Sequence, residues 1–339
     1  VLLAALIALL VAGAVIWRVM TGGPAPLVVY CAHDSVYAQP IIDEFERRTG
    51  IRVRFVPDTE ASKSLGFVQK LIGEKNHPRC DVFWNNEQLG MMDLADEGVL
   101  EAYKGEGFAR IPAAYKDEAG RWTGFAARMR VWIVNTDRVQ NTPEAVGQTL
   151  TGKLSRVGIA KPLYGTTRTH YTVQWHKWGG PTLIAWHNDQ RARGIIELAG
   201  NGPVKNQVAA GTLDLGLTDT DDFFDALDES RPVRMVPFAL EAADGEGQAI
   251  VIPNTVAVIK GTQRAEDARR LVEFLLSEEV ELSLARSKAR QVPLGKVDET
   301  KLPDEVRGLL RWVKNGYPLS DLGAARKECL EWLRKEYVK

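Results

Sequence analysis

The feature that most constrains this chain is a β-α-β-α-β pattern spread over residues 27 to 84. Leu27-Val28-Val29-Tyr30-Cys31 is a short apolar run with the character of a buried strand. Ile41, Ile42 and Phe45 then mark one face of a helix that stops at Gly50. Ile51 to Val56 alternates like a strand, a helix is predicted from about Ser62 to Gly73, and Asp81 to Trp84 reads as a third strand. Strands separated by helices pair in parallel, because the crossover returns the chain to its starting edge. The fold class is therefore α/β. Loops that follow parallel strands share one sheet edge. That edge holds His33, Asp34, Asn85, Asn86 and Glu87, with Tyr37 just inside the first helix.

A second unit of the same kind follows. Phe125 to Val134 is a long strand ending in the turn Asn135-Thr136-Asp137. Val157 to Ala160 is a buried strand that leads into the loop Tyr164-Gly165-Thr166-Thr167-Arg168-Thr169. Helical segments are predicted over 170–199, and Pro203 opens a short helix closed by Gly211. Leu213 to Leu217 is again a strand, running into Thr218-Asp219-Thr220-Asp221-Asp222. Ala249 to Pro253 and Thr255 to Ile259 read as strands that return to the first unit. Arg264 to Ser277 is a strongly amphipathic helix, and helices are expected from Asp304 onward. A chain of 339 residues accommodates two lobes. The expected division is 27–125 for lobe 1, 126–235 for lobe 2, 236–295 for a return to lobe 1, and 296–339 for C-terminal helices packed on lobe 2.

The amino end is a separate segment. Val1 to Trp17 carries no charge, Arg18 is the first, and Thr21-Gly22-Gly23-Pro24-Ala25-Pro26 breaks any helix. The run is about one bilayer-spanning length, roughly 17–20 residues. Residues 1–20 are read either as a cleavable signal peptide or as a membrane anchor. Both place the rest of the chain outside the cytoplasm, in the periplasm or on the outer face of the cytoplasmic membrane. Cys31 and Cys80 fall at opposite ends of neighbouring strands and Cys329 in the last helix, so no disulfide is expected.

Charge placement says more than its sum. Lys and Arg total 43 against 44 acids, which excludes a basic nucleic-acid binder. Yet Asn206 to Ser230 holds seven acids (Asp214, Asp219, Asp221, Asp222, Asp225, Asp228 and Glu229) and no Lys or Arg. Asp219 fits a helix N-cap with Asp222 three positions later, so part of the cluster is explained by helix capping and the rest by a site. Gly165-Thr166-Thr167, between a strand and a helix, has the makings of an anion nest. Arg128 and Arg130 alternate along a strand and face one way, toward a cleft or into structural ion pairs. His170, His176 and His187 are spaced for packing rather than for a metal face. Gly147 to Lys153 approaches a phosphate loop, but Leu154 stands where a hydroxyl is required.

The chain resembles the periplasmic solute-binding proteins of ABC importers, in particular the ferric-iron-binding branch. Four stretches carry the likeness: Val29 to Asp34 with the helix to Phe45 and Thr49 to Val53; Asp81 to Trp84 leading to Glu87-Gln88; Gly124 to Val131; and Ala257 to Lys260 followed by the helix from Ala265 to Leu276. The resemblance implies a two-lobed type II fold with a mixed sheet in each lobe. Hinge crossovers are implied near 125–136 and 236–255, with a ligand in the cleft and delivery to a membrane permease by a monomer. It implies no enzymatic activity and no resident cofactor. In the iron-binding branch the metal is held by a first-loop histidine, a glutamate after the third strand and paired tyrosines. Glu87 matches the glutamate; His33 lies near the histidine position, where Asp34 aligns by helix spacing. Asp221-Asp222 stands in place of the tyrosines. The resemblance makes Arg130 the arginine behind a bound anion. Glu87, Asp221 and Asp222 are thus candidate metal ligands, with phosphate or carbonate as a bridging anion. His33, Asp34, Tyr37, Asn85, Asn86, Arg128, Arg130, Gly165, Thr166, Thr167, Thr218, Asp219 and Asn254 complete the expected ligand site. The same charges suit a zwitterion such as an aminophosphonate or amino acid. The competing enzyme reading is a membrane-tethered hydrolase using Glu87 and Asp222.

Overall fold

The computed structural model describes residues 25–58, 65–240, 247–320 and 322–338. The amino-terminal segment, residues 1–20, lies outside the described residues. Twelve strands are numbered along the described chain: β1 (Leu27–Cys31), β2 (Val53–Pro57), β3 (Val82–Asn85), β4 (Leu100–Glu101), β5 (Thr123–Asn135), β6 (Val157–Ala160), β7 (Ile196–Leu198), β8 (Leu215–Asp219), β9 (Val233–Pro237), β10 (Ala239–Leu240), β11 (Gln248–Ala249) and β12 (Val251–Ile259). The path β2-β1-β3-β12-β5-β8-β6-β7 is continuous, with β4 beside β12 and β9 beside β5, while β10 and β11 form a separate ribbon.

Strand β5 links two sheets. Its first half, from Thr123 to Met129, runs antiparallel to β12. Its second half, from Arg130 to Asn135, runs between β8 and β9. Every residue of β5 is buried, which suits a strand covered on both faces. β1 pairs in parallel with β2 and β3, and β6 pairs in parallel with β7 and β8. Antiparallel β12 and β5 make the assembly a mixed α/β structure.

Besides the two-residue strands β4, β10 and β11, β7 and β9 escape the sequence pattern. β7 lies inside the stretch read as helical, because three residues following the Gly194 turn are too few to show a period of two. β9 pairs with β5 although its burial is irregular. Of the two strands expected at 249–253 and 255–259, residues 251–259 form one strand and Ala249 joins β11, with a register shift between Pro253 and Asn254 where proline cannot donate to the ladder.

The C-terminal helices divide between two locations, which corrects the expectation that 296–339 packs on the second unit. Ala325–Tyr337 packs on Gly165–Trp178 and Gly180–Ala192, with Trp332 against Tyr171 and Trp175. Asp304–Lys314 is held elsewhere: the Tyr115 hydroxyl donates to the Val313 carbonyl at 2.8 Å, and Arg286 Nε donates to the Lys301 carbonyl just before the helix. Cys31, Cys80 and Cys329 are free and buried; Cys31 pairs beside Trp84, whereas Cys80 lies beyond the opposite end of β3.

Candidate functional site

A cavity of about 620 Å³ opens where the carboxyl ends of β1, β3, β6, β7 and β8 come together. Helices begin directly after β6, β7 and β8, at Gly165, Asn201 and Thr220. In all three, the N-cap side chain makes no capping hydrogen bond. Uncapped first-turn N–H groups and the positive helix end favour an anion. Gly165 has φ +53, with no atom where a Cβ would sit, so the first of these turns stays low and open.

The acidic wall lies beside these helix starts. One carboxylate oxygen from each of Asp219, Asp221 and Asp222 lies within 4.8 Å of the others. Asp219 is committed to the protein. It accepts from Arg130 Nη1 at 2.7 Å, Thr166 Oγ1 at 2.6 Å and Asn201 Nδ2 at 2.9 Å. It therefore stands at the N-cap position but serves as the counter-ion of a fully buried arginine. Arg130 also reaches Thr166 Oγ1 at 3.1 Å and Thr167 Oγ1 at 3.3 Å, so it braces the anion loop from behind.

Asp221 and Asp222 face the cavity. Asp222 accepts from the Thr218 hydroxyl. Burial pushes the Asp221 carboxyl up to about 8; Arg128 opposes the shift, while Asp222, Asp219 and Asp34 add to it. Arg128 Nε is 3.7 Å from Asp219 and 3.8 Å from Asp221, and its Nη2 donates to the Asn86 carbonyl at 2.5 Å. This arginine thus ties the acidic wall to the loop after β3. Arg128 Nη1 and Asn86 Oδ1 are buried with no hydrogen-bond partner among the described residues, and both residues line the cavity. Burial, followed by Asp221, Asp225, Asp34 and Asp222, raises the Tyr37 phenol, which keeps its proton on this wall.

Of the residues expected from sequence, Asp34, Tyr37, Asn86, Arg128, Gly165, Thr166, Thr167, Asp219, Asp221 and Asp222 do line the cavity. The others have structural roles. Glu87 accepts from the Leu89 and Gly90 amides and from Asn85 Nδ2, capping the helix Leu89–Asp96. A glutamate two residues before a helix satisfies orphan N–H groups in this way, and it does not join the acidic wall. Asn85 Nδ2 also donates to the Glu87 carbonyl at 2.9 Å. His33 packs against Trp84 and Tyr37 and meets Gln291 at 3.2 Å. Asn254, fully buried at the β12 irregularity, donates to the Ala126 carbonyl and to Gln291. Thr218 and Arg130 lie behind the cavity wall.

Sequence reading missed Tyr164, Gly200, Asn201, Lys205 and Asp225, all on the lining. Gly200-Asn201-Gly202-Pro203 was the available signal. It is a turn followed by a proline inside a first helical turn, directly after a strand. The unrecognised strand β7 concealed it.

This geometry defines a class: an α/β protein whose ligand cavity is shared by the strand ends of two sheets joined through β5. The model of the bacterial extracellular solute-binding proteins matches residues 33–281, and the chain belongs to that family. A putative 2-aminoethylphosphonate-binding periplasmic protein of Salmonella paratyphi A is 22% identical over 251 residues, 73% of this chain and 71% of that protein. The major ferric iron-binding protein of Neisseria meningitidis is 24% identical over 281 residues, 78% of this chain and 80% of that one. Iron-bound HitA from Pseudomonas aeruginosa shares the two-lobed fold, with a TM-score of 0.78 at 21% identity over 93% of this chain and all of that one. The chain is an extracytoplasmic solute-binding protein of the ABC-importer type, with relatives that are binding proteins rather than enzymes.

Proposed function

We propose that this protein captures a small zwitterion, with its cationic end on Asp221 and Asp222 and its anionic end on the helix starts at Gly165 and Asn201. The observation that carries this reading is the placement of two cavity-facing carboxylates beside uncapped helix N-termini. An ammonium group pairs with the Asp221 carboxylate, whose charge burial and then the neighbouring acids disfavour, while a phosphonate or carboxylate accepts from the first-turn amides of the uncapped helices. The aminoethylphosphonate-binding relative supports an aminophosphonate as the substrate class. The loaded protein then delivers its cargo to a membrane permease.

A second reading, a metal ion with a bridging anion, draws on the clustered Asp219, Asp221 and Asp222 oxygens. It is weaker because Asp219 is already bound by three donors and Glu87 caps a helix. The remaining charged donors are the Asp221 and Asp222 carboxylates, which suit hard cations in general, while the Tyr37 phenol on the same wall is held protonated.

Isothermal titration with 2-aminoethylphosphonate, and separately with ferric citrate, distinguishes the two. The expected result is binding of the aminophosphonate, lost at least a hundredfold in Asp221→Asn/Asp222→Asn and changed less than threefold in Glu87→Gln. Tight ferric binding without any response to aminophosphonates and amino acids overturns the zwitterion reading.

A further inference from the structure

A second depression, larger than the ligand cavity at about 960 Å³, lies at the opposite end of the first sheet. It is built where Ala25 and Pro26 enter β1, where residues 75–79 lead toward β3, and where residues 260–264 leave β12. Because β1 and β3 are parallel and β12 is antiparallel to them, all three segments meet at one edge. The ligand cavity lies at the other edge, beyond Cys31 and Asn85.

The lining is basic. Lys75, His77, Arg79, Lys260 and Arg264 contribute to it, against one acid, Asp81. Asp81 is turned inward: it accepts from the Val28 amide and the Thr262 hydroxyl. Arg264 is paired with Asp267. Lys75, Arg79 and Lys260 are exposed, and none has an ion pair among the described residues. The ligand cavity does not use this patch, and the core gains nothing from it, since unpaired surface cations contribute little to stability.

Its position supplies the partner. The chain enters the depression from a sequence of 17 residues without a charge, Val1 to Trp17, followed by Arg18 and a short Gly/Pro-containing spacer. Residues 18–24 span at most about 25 Å when extended, roughly 3.5 Å each. Retained as an anchor, an uncharged run of that length partitions into a bilayer and would hold the basic depression within reach of the lipid headgroups. A tether this short lets the depression come within the Debye length of about 8 Å over which anionic lipids attract unpaired Lys and Arg.

We infer that the basic depression formed by Lys75, Arg79 and Lys260 is a docking face for an anionic phospholipid surface, which the protein meets while tethered through its amino-terminal segment. Docked in this way, the molecule presents its ligand cavity away from the bilayer. This is an orientation for capturing solute, and transfer to a permease requires release from the lipid.

The test uses the full chain reconstituted into vesicles of phosphatidylcholine alone or with one-third phosphatidylglycerol. Amine-reactive labelling is read residue by residue by mass spectrometry. Lys75 and Lys260 are expected to label several-fold more slowly on the anionic vesicles, with the protection lost in 0.5 M salt. Lys153, exposed on the second unit, labels equally on both. In Arg79→Glu, the protection of Lys75 and Lys260 is expected to fall while ligand titration is unchanged. Equal labelling on the two vesicle types overturns the proposal. So does protection by 10 mM inorganic phosphate on neutral vesicles to the same degree, which assigns the depression to a free anion instead.

Discussion

Moving the Asp221 carboxylate out of water disfavours its charge, and Asp222, Asp219 and Asp34 add repulsion that Arg128 only partly offsets. The folded pKa of about 8 lies above the unfolded value, which is about 3.9. Between those values the folded state binds more protons than the unfolded one, so stability falls as pH rises across that window and levels off above it. Asp221→Asn removes the dependence. The unliganded variant is therefore expected to gain a few degrees in melting temperature over wild type at pH 8.5, and far less at pH 5. Binding shows the same proton from the other side. A cationic group pairs with the ionised carboxylate, so below pH 8 its capture expels up to one proton and affinity rises by as much as about tenfold per pH unit. Calorimetry in buffers of different ionisation enthalpy counts that proton, and Asp221→Asn gives the contribution of the ligand's own groups. A proton count unchanged by the substitution rules out Asp221 as the cation's partner.

At the scale of elements, the buried pair Arg130–Asp219 fastens β5 to β8 and, through Thr166 and Asn201, to two helix starts. Removing one partner leaves a buried charge alone, at a cost of about 3–5 kcal/mol, whereas replacing both by apolar groups costs much less. Arg130→Met is expected to lose stability of that order in urea denaturation, and Arg130→Met/Asp219→Leu to recover most of it. A double variant as unstable as the single one shows that the pair is required for packing as well as charge balance. This network also shows why sequence reading stopped where it did. The strand–loop–helix around Gly165 and the acid run after β8 were legible because local periodicity and turn chemistry mark them. The choice between a capping and a site role for Asp219 was not, because its counter-ion is 89 positions away in the chain. The capping role of Glu87 was hidden for a related reason. The position of Glu87 after β3 fits a ligand-binding loop, and only the path of the amides two and three residues on turns its carboxylate into a cap. β7 was too short to carry a period, so the helix read as opening at Pro203 was not seen to start at Asn201, directly after a strand end.

Across the whole molecule, the short helix Leu89–Asp96 is gripped by residues from distant parts of the chain. Asp93 meets Arg168 Nη2 at 3.0 Å and Arg326 Nη1 at 3.1 Å, and Arg326 Nη2 meets Asp96 at 2.6 Å. Both arginines are almost fully buried, with side chains 3% and 6% exposed, so their contacts with the largely buried Asp93 are screened less than surface pairs, whereas Asp96 is open to solvent. Arg168 follows Thr166 and Thr167, which line the ligand cavity, and Arg326 sits on the last helix, packed behind Gly165–Trp178. One helix therefore lines the cavity with its first turn and clasps the first unit with the next residue. An equilibrium between separated and joined lobes is biased by such pairs, and a ligand that binds only the joined state experiences the bias as affinity. Asp93→Asn, which removes the charge shared by both arginines, is expected to enlarge the unliganded protein in small-angle X-ray scattering and to weaken ligand binding roughly threefold to tenfold. Saturating ligand is expected to restore the wild-type dimensions, because binding pulls the equilibrium back. A variant that stays expanded under saturation is locally misfolded rather than opened. A variant with unchanged dimensions and affinity shows that Asp93 steadies the helix without governing closure.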